Sequence, residues 1–486
     1  MATIGPFTET TFVRTHADLP VSLDRGAAVP LTTQLADWLR GAMLSGTLAP
    51  GERLPSSRGL AAQLAVSRTV VTEAYQQLYA EGWLEGRHGS GTFVAAIGRA
   101  GHHPPRKDPA YAPPPPPPPR RTDGRMIDLT PGEPWVLDYD RAAWKRAWRK
   151  AADLPPGAAP DPYGLPYLRE LLADHLRRAR GVAVGPENVL VTRGTGNGLD
   201  LCALALLGPG ARAGVEDPGY HVARTVFAAR GAEVVPCPVD EDGVIVDDLP
   251  DDLRVLYTTP AHQYPLGGRL PIPRRERLLT WARRTGATIV EDDYDAEFRY
   301  DVAPLPALYG LDPSRVVLLG TLSKALAPDV GVGWLVAEPA LVDRVAALRE
   351  KVSDRTSGPV QQAVATLLER GDLDRHLRRM RLEYARRRAV VVEVLGRVCR
   401  LRGDTAGLHV LAELPLDAVS RVVAAARERG VLLDSTERHH HGRQRLHGLV
   451  IGYGSASVAD VRRGCAILAG LIGESIGSDA QRELST

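Results

Sequence analysis

Seven consecutive prolines at residues 113–119 limit most strongly how this chain of 486 residues can fold. Proline has no backbone N–H and a fixed φ, so the run suits neither an α-helix nor a central β-strand and favours the extended polyproline II form. At ~3.1 Å per residue it would act as a semi-rigid spacer of roughly 20 Å. We therefore predict a folded part at residues 1–95, a linker at 96–126 and a second folded part at 127–475.

Composition excludes several classes of protein. Hydrophobic residues make up 44% of the chain and charged residues 24%, which is typical of a globular protein. No window approaches the ~18 consecutive apolar residues of a membrane span, and the first residues lack the apolar core of a signal peptide. The four cysteines are far apart and suit a reducing compartment. We expect a cytoplasmic protein with no membrane contact.

The segment at residues 30–95 has the pattern of three helices followed by a short hairpin. Helical spacing of apolar residues marks Leu31–Ser45, while Ser56 or Ser57 and then Ser67 are placed to cap two further helices. Two apolar stretches then flank a glycine-rich turn at residues 86–91. This arrangement predicts a winged helix-turn-helix. Acidic residues slightly outnumber basic ones in residues 1–95, so net charge alone does not indicate DNA binding.

The first residues of the second helix read bases in helix-turn-helix proteins, and the tip of a wing suits a minor groove. Arg68 could pair with a guanine edge, and neighbouring hydroxyls could reach phosphate or bases. The candidates for DNA contact are Arg58, Ser67, Arg68, Thr69, Thr72, Arg87, His88 and Gly89. Each also has a purely structural interpretation: a helix cap, a solvated side chain or a turn.

From about residue 127 apolar strand-like runs alternate with amphipathic helices, which predicts an α/β fold with a mainly parallel sheet. A long helical stretch is expected from about residue 341 to 398, and a smaller α+β segment closes the chain near residue 473. The predicted strands are Val189–Thr192, 212–215, 234–236, Val255–Thr258, 287–290, 316–319 and Gly333–Val336.

Two of these runs end in side chains that suit pyridoxal phosphate (PLP). Lys324 follows the run at 316–319 and could hold the PLP aldehyde as a Schiff base. Asp292 follows the run at 287–290 and could keep the pyridine nitrogen protonated. Taken alone, Lys324 is also consistent with a surface lysine. The acidic residues at 291–293 are also consistent with a solvated strand end or, less often, with a divalent metal site.

Three further features match the rest of the cofactor. Tyr294 could donate to the ring oxygen, with His262 or Gln263 beside it, and Tyr220 could offer an aromatic platform. A phosphate suits the start of a helix flanked by small residues. The candidates for that contact are Gly194, Thr195, Gly196, Thr321 and Ser323.

The motifs of the first part resemble a known family. The strings PGERLPSSR (50–58), VSRTV (66–70), EGWL (81–84) and GSGTFV (89–94) are together similar to the GntR-type winged-helix domain. The resemblance implies DNA contacts at Arg58, Ser67, Arg68, Thr69, Thr72, His88 and Gly89.

The strings TPAHQYPLG (259–267), EDDYDAEFRY (291–300) and GTLSKALAP (320–328) resemble fold-type I aminotransferases. Together with the first part they resemble the MocR subfamily of GntR regulators, over nearly the whole chain except the linker. This implies a PLP-dependent transferase fold, with a large domain built on a mainly parallel sheet and a small α+β domain. It also implies PLP on Lys324 and a head-to-tail homodimer on a double-stranded DNA operator, with control by PLP or by a small amine or amino-acid effector.

Three positions depart from the family pattern. Gly331 stands where the family usually has an arginine that clamps the PLP phosphate. Val222 stands where some relatives carry an arginine for an effector carboxylate, and Leu266 replaces the threonine of a Pro-Thr-Gly turn. Losing one charge-assisted hydrogen bond of ~1.5–3 kcal/mol would lower PLP affinity by about one to two decades. Retention of PLP is therefore in doubt.

Consecutive histidines at residues 439–441 are interpreted as a solvated turn, so no metal site is predicted. The preferred interpretation is a transcriptional regulator rather than an enzyme. Two alternatives remain: an aminotransferase that carries a DNA-binding module, and a regulator whose second part has lost PLP and serves dimerisation or another ligand.

Overall fold

A computed structural model describes residues 21–87, 91–95, 126–155, 157, 161–301 and 306–483 of the protein. These residues form two compact units, one on each side of the segment that contains the proline run. Each unit is described by itself. No helix among these residues is long and apolar enough to cross a lipid bilayer.

The first unit is a winged helix, as predicted. Its core is formed by buried apolar side chains from all its helices and both strands, including Leu35, Leu60 and Leu78. Ser56 Oγ accepts a hydrogen bond from Gly59 N at 3.1 Å, and so caps the second helix. The elements of this unit are α1 (Leu31–Ser45), α2 (Ser57–Gln63), α3 (Arg68–Ala80), β1 (Leu84–Arg87) and β2 (Gly91–Val94), the two strands pairing as a hairpin.

The second unit is built on a large, mainly parallel sheet with helices on both faces. The strands are β3 (Ile127–Asp128), β4 (Val189–Thr192), β5 (Arg212–Asp217), β6 (Glu233–Asp240), β7 (Gly243–Val244), β8 (Val255–Thr258), β9 (Thr288–Asp293), β10 (Val316–Thr321), β11 (Gly333–Val336), β12 (Leu401–Arg402), β13 (His409–Glu413), β14 (Val431–Leu432), β15 (Asp434–Ser435) and β16 (Gly448–Gly452). The helices are α4 (Arg141–Ala152), α5 (Pro166–Arg180), α6 (Thr195–Leu206), α7 (His221–Ala229), α8 (Ile272–Thr285), α9 (Pro339–Lys351), α10 (Gly358–Glu369), α11 (Asp372–Leu395), α12 (Leu416–Glu428) and α13 (Val458–Glu483).

The large sheet has the strand order β4-β11-β10-β9-β8-β5-β6-β7. Strands β10, β9, β8, β5 and β6 are parallel, whereas β11 runs against both of its neighbours and β7 against β6. Side chains of β10 alternate between two cores: Val316 and Leu318 pack on one face, Val317 and Leu319 on the other. The apolar runs of the sequence are therefore strands buried on both faces.

The helical stretch after residue 341 is not continuous, which corrects the prediction of one long run. Residues 352–357 separate α9 from α10, and Pro359 in the first turn of α10 cannot donate a backbone hydrogen bond to that interval. Gly371 has a φ of +65° and separates α10 from α11. Residues 353–357 contain no apolar side chain, so the first interruption was visible in the sequence although the prediction ran through it.

The smaller α+β part of this unit contains a four-stranded antiparallel sheet of order β12-β13-β16-β15. The long helices α11 and α13 pack against each other and contribute buried residues to the main core. Strand β3, at the start of the unit, pairs with β14 near its end. The two ends of the second unit thus belong to one small subdomain.

Candidate functional site

A cavity of about 410 Å³ opens where strands of the large sheet end. Strands β9 and β10 are parallel, and β4 runs in the same direction because β11 is antiparallel to both β10 and β4. The last residues of these strands, Thr192, Asp293 and Thr321, therefore lie at the same edge of the sheet. The predicted residues that line the cavity are Gly194, Thr195, Gly196, Tyr220, Asp292, Tyr294, Thr321, Ser323 and Lys324. The fold thereby brings together side chains that are as far as 130 positions apart in the sequence.

Lys324 extends its amine into this cavity and donates a hydrogen bond to the carbonyl oxygen of Gly132. A Cβ on Gly132, which has a φ of +100°, would lie 3.4 Å from Lys324 Nζ. Desolvation lowers the pKa of the Lys324 amine, although the nearby carboxylates of Glu133, Asp295 and Asp292 oppose the shift. A lysine in this position has a larger neutral, nucleophilic fraction than one in water.

Asp292 is buried at the end of β9 and accepts hydrogen bonds from two hydroxyl groups. The Tyr257 hydroxyl lies 2.8 Å from Asp292 Oδ2, and Thr195 Oγ1 lies 3.4 Å from Oδ1. Burial raises the pKa of Asp292 to about 7, while the Tyr257 hydrogen bond acts in the opposite direction. A cationic partner in the cavity would favour the ionised form of this carboxylate.

Tyr294 is supported from behind by His262, which does not line the cavity. The Tyr294 hydroxyl lies 3.0 Å from His262 Nδ1 and donates to its carbonyl oxygen at 3.1 Å. His262 Nδ1 also lies 2.9 Å from Asp295 Oδ2. His262 therefore positions Tyr294 and does not itself line the cavity.

Gln263 likewise has a structural environment. Its side-chain amide donates to Glu216 Oε2 at 3.1 Å and to the carbonyl oxygen of Pro218 at 3.0 Å. These bonds hold the loop that ends in Tyr220. The Tyr220 ring lines the cavity beside Tyr257 and Tyr264, with ring centroids 6.4 and 6.1 Å away, so the aromatic wall is larger than the sequence indicated.

The start of α6 forms a cradle with the loop after β10. Gly194, which precedes α6, has a φ of +102° that favours glycine, and a Cβ there would lie 3.4 Å from Thr321 Oγ1. Thr321 Oγ1 donates to Ser323 Oγ at 2.9 Å and accepts from Ser323 N at 3.1 Å. Free backbone N–H groups of a helix start, together with these hydroxyls, form a donor set suited to a phosphate.

The winged helix exposes several of its candidate residues. Arg58, Ser67, Arg68 and Thr69 are exposed, and Arg68 Nε lies 3.4 Å from Ser57 Oγ. Ser67 Oγ also caps α3 by accepting from Val70 N at 3.4 Å. Thr72 is half-buried and donates its hydroxyl back to the Arg68 carbonyl oxygen at 2.9 Å. Arg87 ends β1, and His88 and Gly89 lie outside the described residues.

Family models match both units. Residues 31–94 match "Bacterial regulatory proteins, gntR family", and residues 125–439 match "Aminotransferase class I and II". A similar relative is the "HTH-type pyridoxine biosynthesis transcriptional regulator PdxR" of Corynebacterium glutamicum, 38% identical over 90% of this chain and 95% of that protein. The "Probable rhizopine catabolism regulatory protein MocR" of Rhizobium meliloti is 34% identical over 91% of this chain and 94% of that protein.

The chain belongs to the MocR subfamily of GntR-type regulators. An archaeal alanine:glyoxylate aminotransferase is similar in structure, with a TM-score of 0.67 and 26% identity over 72% of this chain and 91% of that one. The MocR-type architecture, a GntR winged helix followed by an aminotransferase fold, is therefore confirmed, and with it the DNA-binding class. The aminotransferase fold is one whose family uses PLP.

The three departures of this MocR-type chain have distinct structural settings. Gly331 has a φ of +58°, and the nearest atom to a Cβ there would be the Asp329 carbonyl oxygen at 4.0 Å, so the position has room. Val222 lines the cavity and offers it no charge. Leu266 packs in a small apolar cluster with Leu411 and Val450, which explains the absence of a threonine at that turn.

Two of the three histidines at 439–441 are buried and only His441 is exposed, which corrects the interpretation of the run as a solvated turn. His439 is 1% exposed and bonds through Nε2 to Asp434 Oδ2 at 3.1 Å, and His440 is also buried. Among the described residues, a potential metal-ligand group comprises His262, Asp295 and His409, with ligand atoms within 4.8 Å of one another. None of these belongs to the histidine run, and His262 and Asp295 already bond to each other.

Residues 438–442 form a strap, a segment of the small subdomain bound to the loop at 217–224. His439 accepts from Gly219 N at 2.9 Å, and the Asp217 carboxylate accepts from the backbone N–H groups of residues 441 and 442. Arg224 donates to the carbonyl oxygens of Arg438 and His440 at 2.7 and 2.5 Å. The strap also places the Arg438 side chain in the cavity.

Several residues that line the cavity were not among the candidates predicted from the sequence. Tyr257 lies inside the buried run of β8, where an aromatic residue is ordinarily interpreted as core. Tyr264 lies inside the TPAHQYPLG motif at residues 259–267 and could have been inferred from it. Arg193, Arg438 and His409 also line the cavity. Arg193 directly precedes the Gly194-Thr195-Gly196 signal, so its proximity to the cradle was available from the sequence.

Proposed function

We propose that this protein is a DNA-binding transcriptional regulator that holds PLP in the cavity of its second unit and responds to PLP or to a small amine or amino acid. One observation carries the proposal. The amine of Lys324, the buried carboxylate of Asp292 and the cradle at the start of α6 face one cavity, in a chain that also has a GntR winged helix.

The chemistry of this donor set fits PLP. When bound, PLP supplies an aldehyde that condenses with primary amines. Lys324 Nζ would hold that aldehyde and Asp292 would face the pyridine nitrogen. The Tyr294 hydroxyl, which donates to the His262 carbonyl oxygen in the structure, would turn to donate to the ring oxygen. Thr321, Ser323 and the N–H groups of α6 would hold the phosphate. This assignment is supported by the lowered pKa of Lys324 and by the two hydroxyl groups that fix the Asp292 carboxylate.

The proposed switch uses residues on both sides of the cavity. An amine effector would take the place of Lys324 Nζ, and the carbonyl oxygen of Gly132 would accept a hydrogen bond from the released lysine amine. The effector would then face the strap at 438–442, which joins the small subdomain to the loop at 217–224. A ligand that prefers one position of the strap would shift the population of subdomain arrangements.

We also propose a head-to-tail homodimer that presents two winged helices to one operator. This proposal rests on the family resemblance of both units. Sedimentation of the purified protein at several concentrations tests this. Since bacterial operators lie in the cytoplasm, the proposal places the protein there.

The proposal assigns binding and signalling, not turnover. An aminotransferase that merely carries a DNA-binding module would convert an amino donor and a keto acid at steady state. Val222 adds no charge for a substrate carboxylate at the position where some relatives carry an arginine. Incubation with amino acids and a keto acid, with product measured over many turnovers, separates these two functions. Sustained turnover would replace the regulator-only proposal with an enzyme that also binds DNA.

The first test is the visible absorption of the protein after PLP is added and the excess removed. We expect the absorption band of lysine-bound PLP in the wild type and its loss in Lys324→Ala. Lys351→Ala, at the exposed end of α9, is the matched control and should keep the band. No band in the wild type would contradict PLP binding and leave dimerisation or another ligand as the role of the second unit.

A further inference from the structure

The proposed phosphate cradle needs a positive charge. A phosphate ester carries about −1.5 to −2 at pH 7, and backbone N–H groups of a helix start compensate only part of this. Among the residues that the structure describes, the lysines and arginines that line the cavity are Arg193, Lys324 and Arg438. Burial lowers the pKa of both cavity histidines, His221 and His409, so neither supplies a cation near neutral pH. With Lys324 committed to the aldehyde, two arginines remain.

Arg193 is attached to the cradle through its own backbone. It directly precedes Gly194, and its N–H donates to Asn197 Oδ1 at 3.0 Å across the first turn of α6. Its guanidinium lies 2.7 Å from Asp354 Oδ1, and the side chain is 54% exposed. The cation is therefore held at the mouth of the cradle and is still accessible to a ligand.

The Asp354 carboxylate does not fully neutralise Arg193, because a second arginine also pairs with that carboxylate. Arg349 Nε lies 3.5 Å from Asp354 Oδ2, and Asn197 Nδ2 donates to the same oxygen at 2.9 Å. Arg349 is 1% exposed and is fixed by bonds to the Val191 carbonyl oxygen at 2.6 Å and to Thr356 Oγ1 at 2.9 Å. Two guanidinium groups and one carboxylate leave one net positive charge beside α6.

The net charge around Arg438 differs from that around Arg193. Its guanidinium lies 2.5 Å from Asp434, whose other basic neighbour, His439, has a pKa lowered by burial. This pair is therefore neutral overall. Arg438 also belongs to the strap, near Tyr220 and Tyr264, rather than to the cradle. Its side chain is 52% exposed, which makes it a close match to Arg193 for an experiment.

We infer that Arg193 supplies the cationic contact to the phosphate of PLP at the start of α6. The inference rests on the proposed function, and it explains how a chain with glycine at position 331 could retain the phosphorylated cofactor. It assigns a specificity role to Arg193: selecting PLP over pyridoxal, which has the same aldehyde and ring but no phosphate.

The test compares the affinities of the whole protein for PLP and for pyridoxal, measured by visible absorption at fixed pH and ionic strength. In Arg193→Gln we expect the ratio of PLP affinity to pyridoxal affinity to fall about 10- to 100-fold, with pyridoxal affinity changed less than about threefold. Arg193→Lys keeps the charge and should lose less than the glutamine variant. Arg438→Gln is the matched control and should keep the wild-type ratio.

Four results would overturn the inference. Equal weakening of both ligands in Arg193→Gln would show a merely structural role. Equal loss in the lysine and glutamine variants would show that the charge is not responsible. A collapsed ratio in Arg438→Gln alone would assign the phosphate to the strap. If the wild type bound PLP and pyridoxal equally well, the inference would be wrong and the proposed function would stand. If it bound neither ligand, both the inference and the proposed function would be contradicted.

Discussion

At the scale of single residues, Asp292 combines a structural cost with a proposed role. Burial raises its pKa from 3.8 to about 7, so ionisation of this carboxyl destabilises the unliganded folded protein. A carboxyl whose folded pKa is raised stabilises the fold below its unfolded pKa and loses that contribution as pH rises through the folded value. We therefore expect the unliganded protein to lose stability between about pH 4 and pH 7.

Asp292→Asn should remove the part of this pH dependence that comes from Asp292, on the order of 1–3 kcal/mol, and should also weaken PLP binding. Glu297→Gln is the matched control, since burial raises the pKa of Glu297 to about 7 as well, yet this residue does not line the cavity. Thermal unfolding from pH 4 to pH 8 and PLP titrations of both variants provide the measurements. If Glu297→Gln weakened PLP binding as much as Asp292→Asn, the role of Asp292 would be wrong.

At the scale of elements, α3 places Arg68 and its neighbours at an exposed helix start. We expect Arg68→Ala to lower affinity for an operator by about 1–3 kcal/mol if it reads a base edge, with no drop in the melting temperature. Gln76→Ala, exposed on the same helix, is the control. Binding is measured by fluorescence anisotropy with a labelled operator from the upstream region of the gene. An unchanged affinity in Arg68→Ala would remove this residue from the interface.

Elements differ in how far the sequence specified them. Strands buried on both faces give short apolar runs, and Val189–Thr192, Val255–Thr258 and Gly333–Val336 were predicted with their observed bounds. The breaks on either side of α10 were not predicted, although residues 353–357 contain no apolar side chain and Gly371 lies at the second break. The burial of His439 was missed since it depends on Asp434 and on the loop at 217–224, contacts that no local pattern contains.

In the cavity, too, some residue positions were predicted correctly from the sequence and others were not. Lys324 follows β10 and Asp292 lies at the end of β9, and the parallel pairing of these two strands brings both residues to one edge of the sheet. His262 and Gln263 were expected beside the ring, but both are occupied with protein partners behind it. Whether a polar residue near a motif faces a ligand or supports one that does depends on side-chain direction, and spacing does not encode this.

At the scale of the whole molecule, the chain joins a DNA-binding unit to an aminotransferase-like unit for which we propose ligand binding. Two functions in one chain do not by themselves make a switch: a ligand alters DNA affinity only if it binds one arrangement better than the other. A coupling of 1–3 kcal/mol, typical of allosteric proteins, would change operator affinity by about 5- to 150-fold. Coupling is reciprocal, so operator DNA should change the affinity for PLP or the effector by the same factor.

Lys324→Ala isolates this coupling. We expect the variant to bind operator with the affinity of the unliganded wild type and to show no change when PLP is added, because the substitution removes the amine that holds the aldehyde. The wild type should change its affinity by the factor above. Titrations of labelled operator with each protein, with and without PLP, give all four values, and Lys351→Ala serves as the control that keeps the response. A PLP response that survived in Lys324→Ala would show that attachment to this lysine is not the signal. Equal affinities in all four titrations, despite PLP bound to the wild type, would separate cofactor binding from regulation and direct the search to an amine that acts on the PLP-bound form.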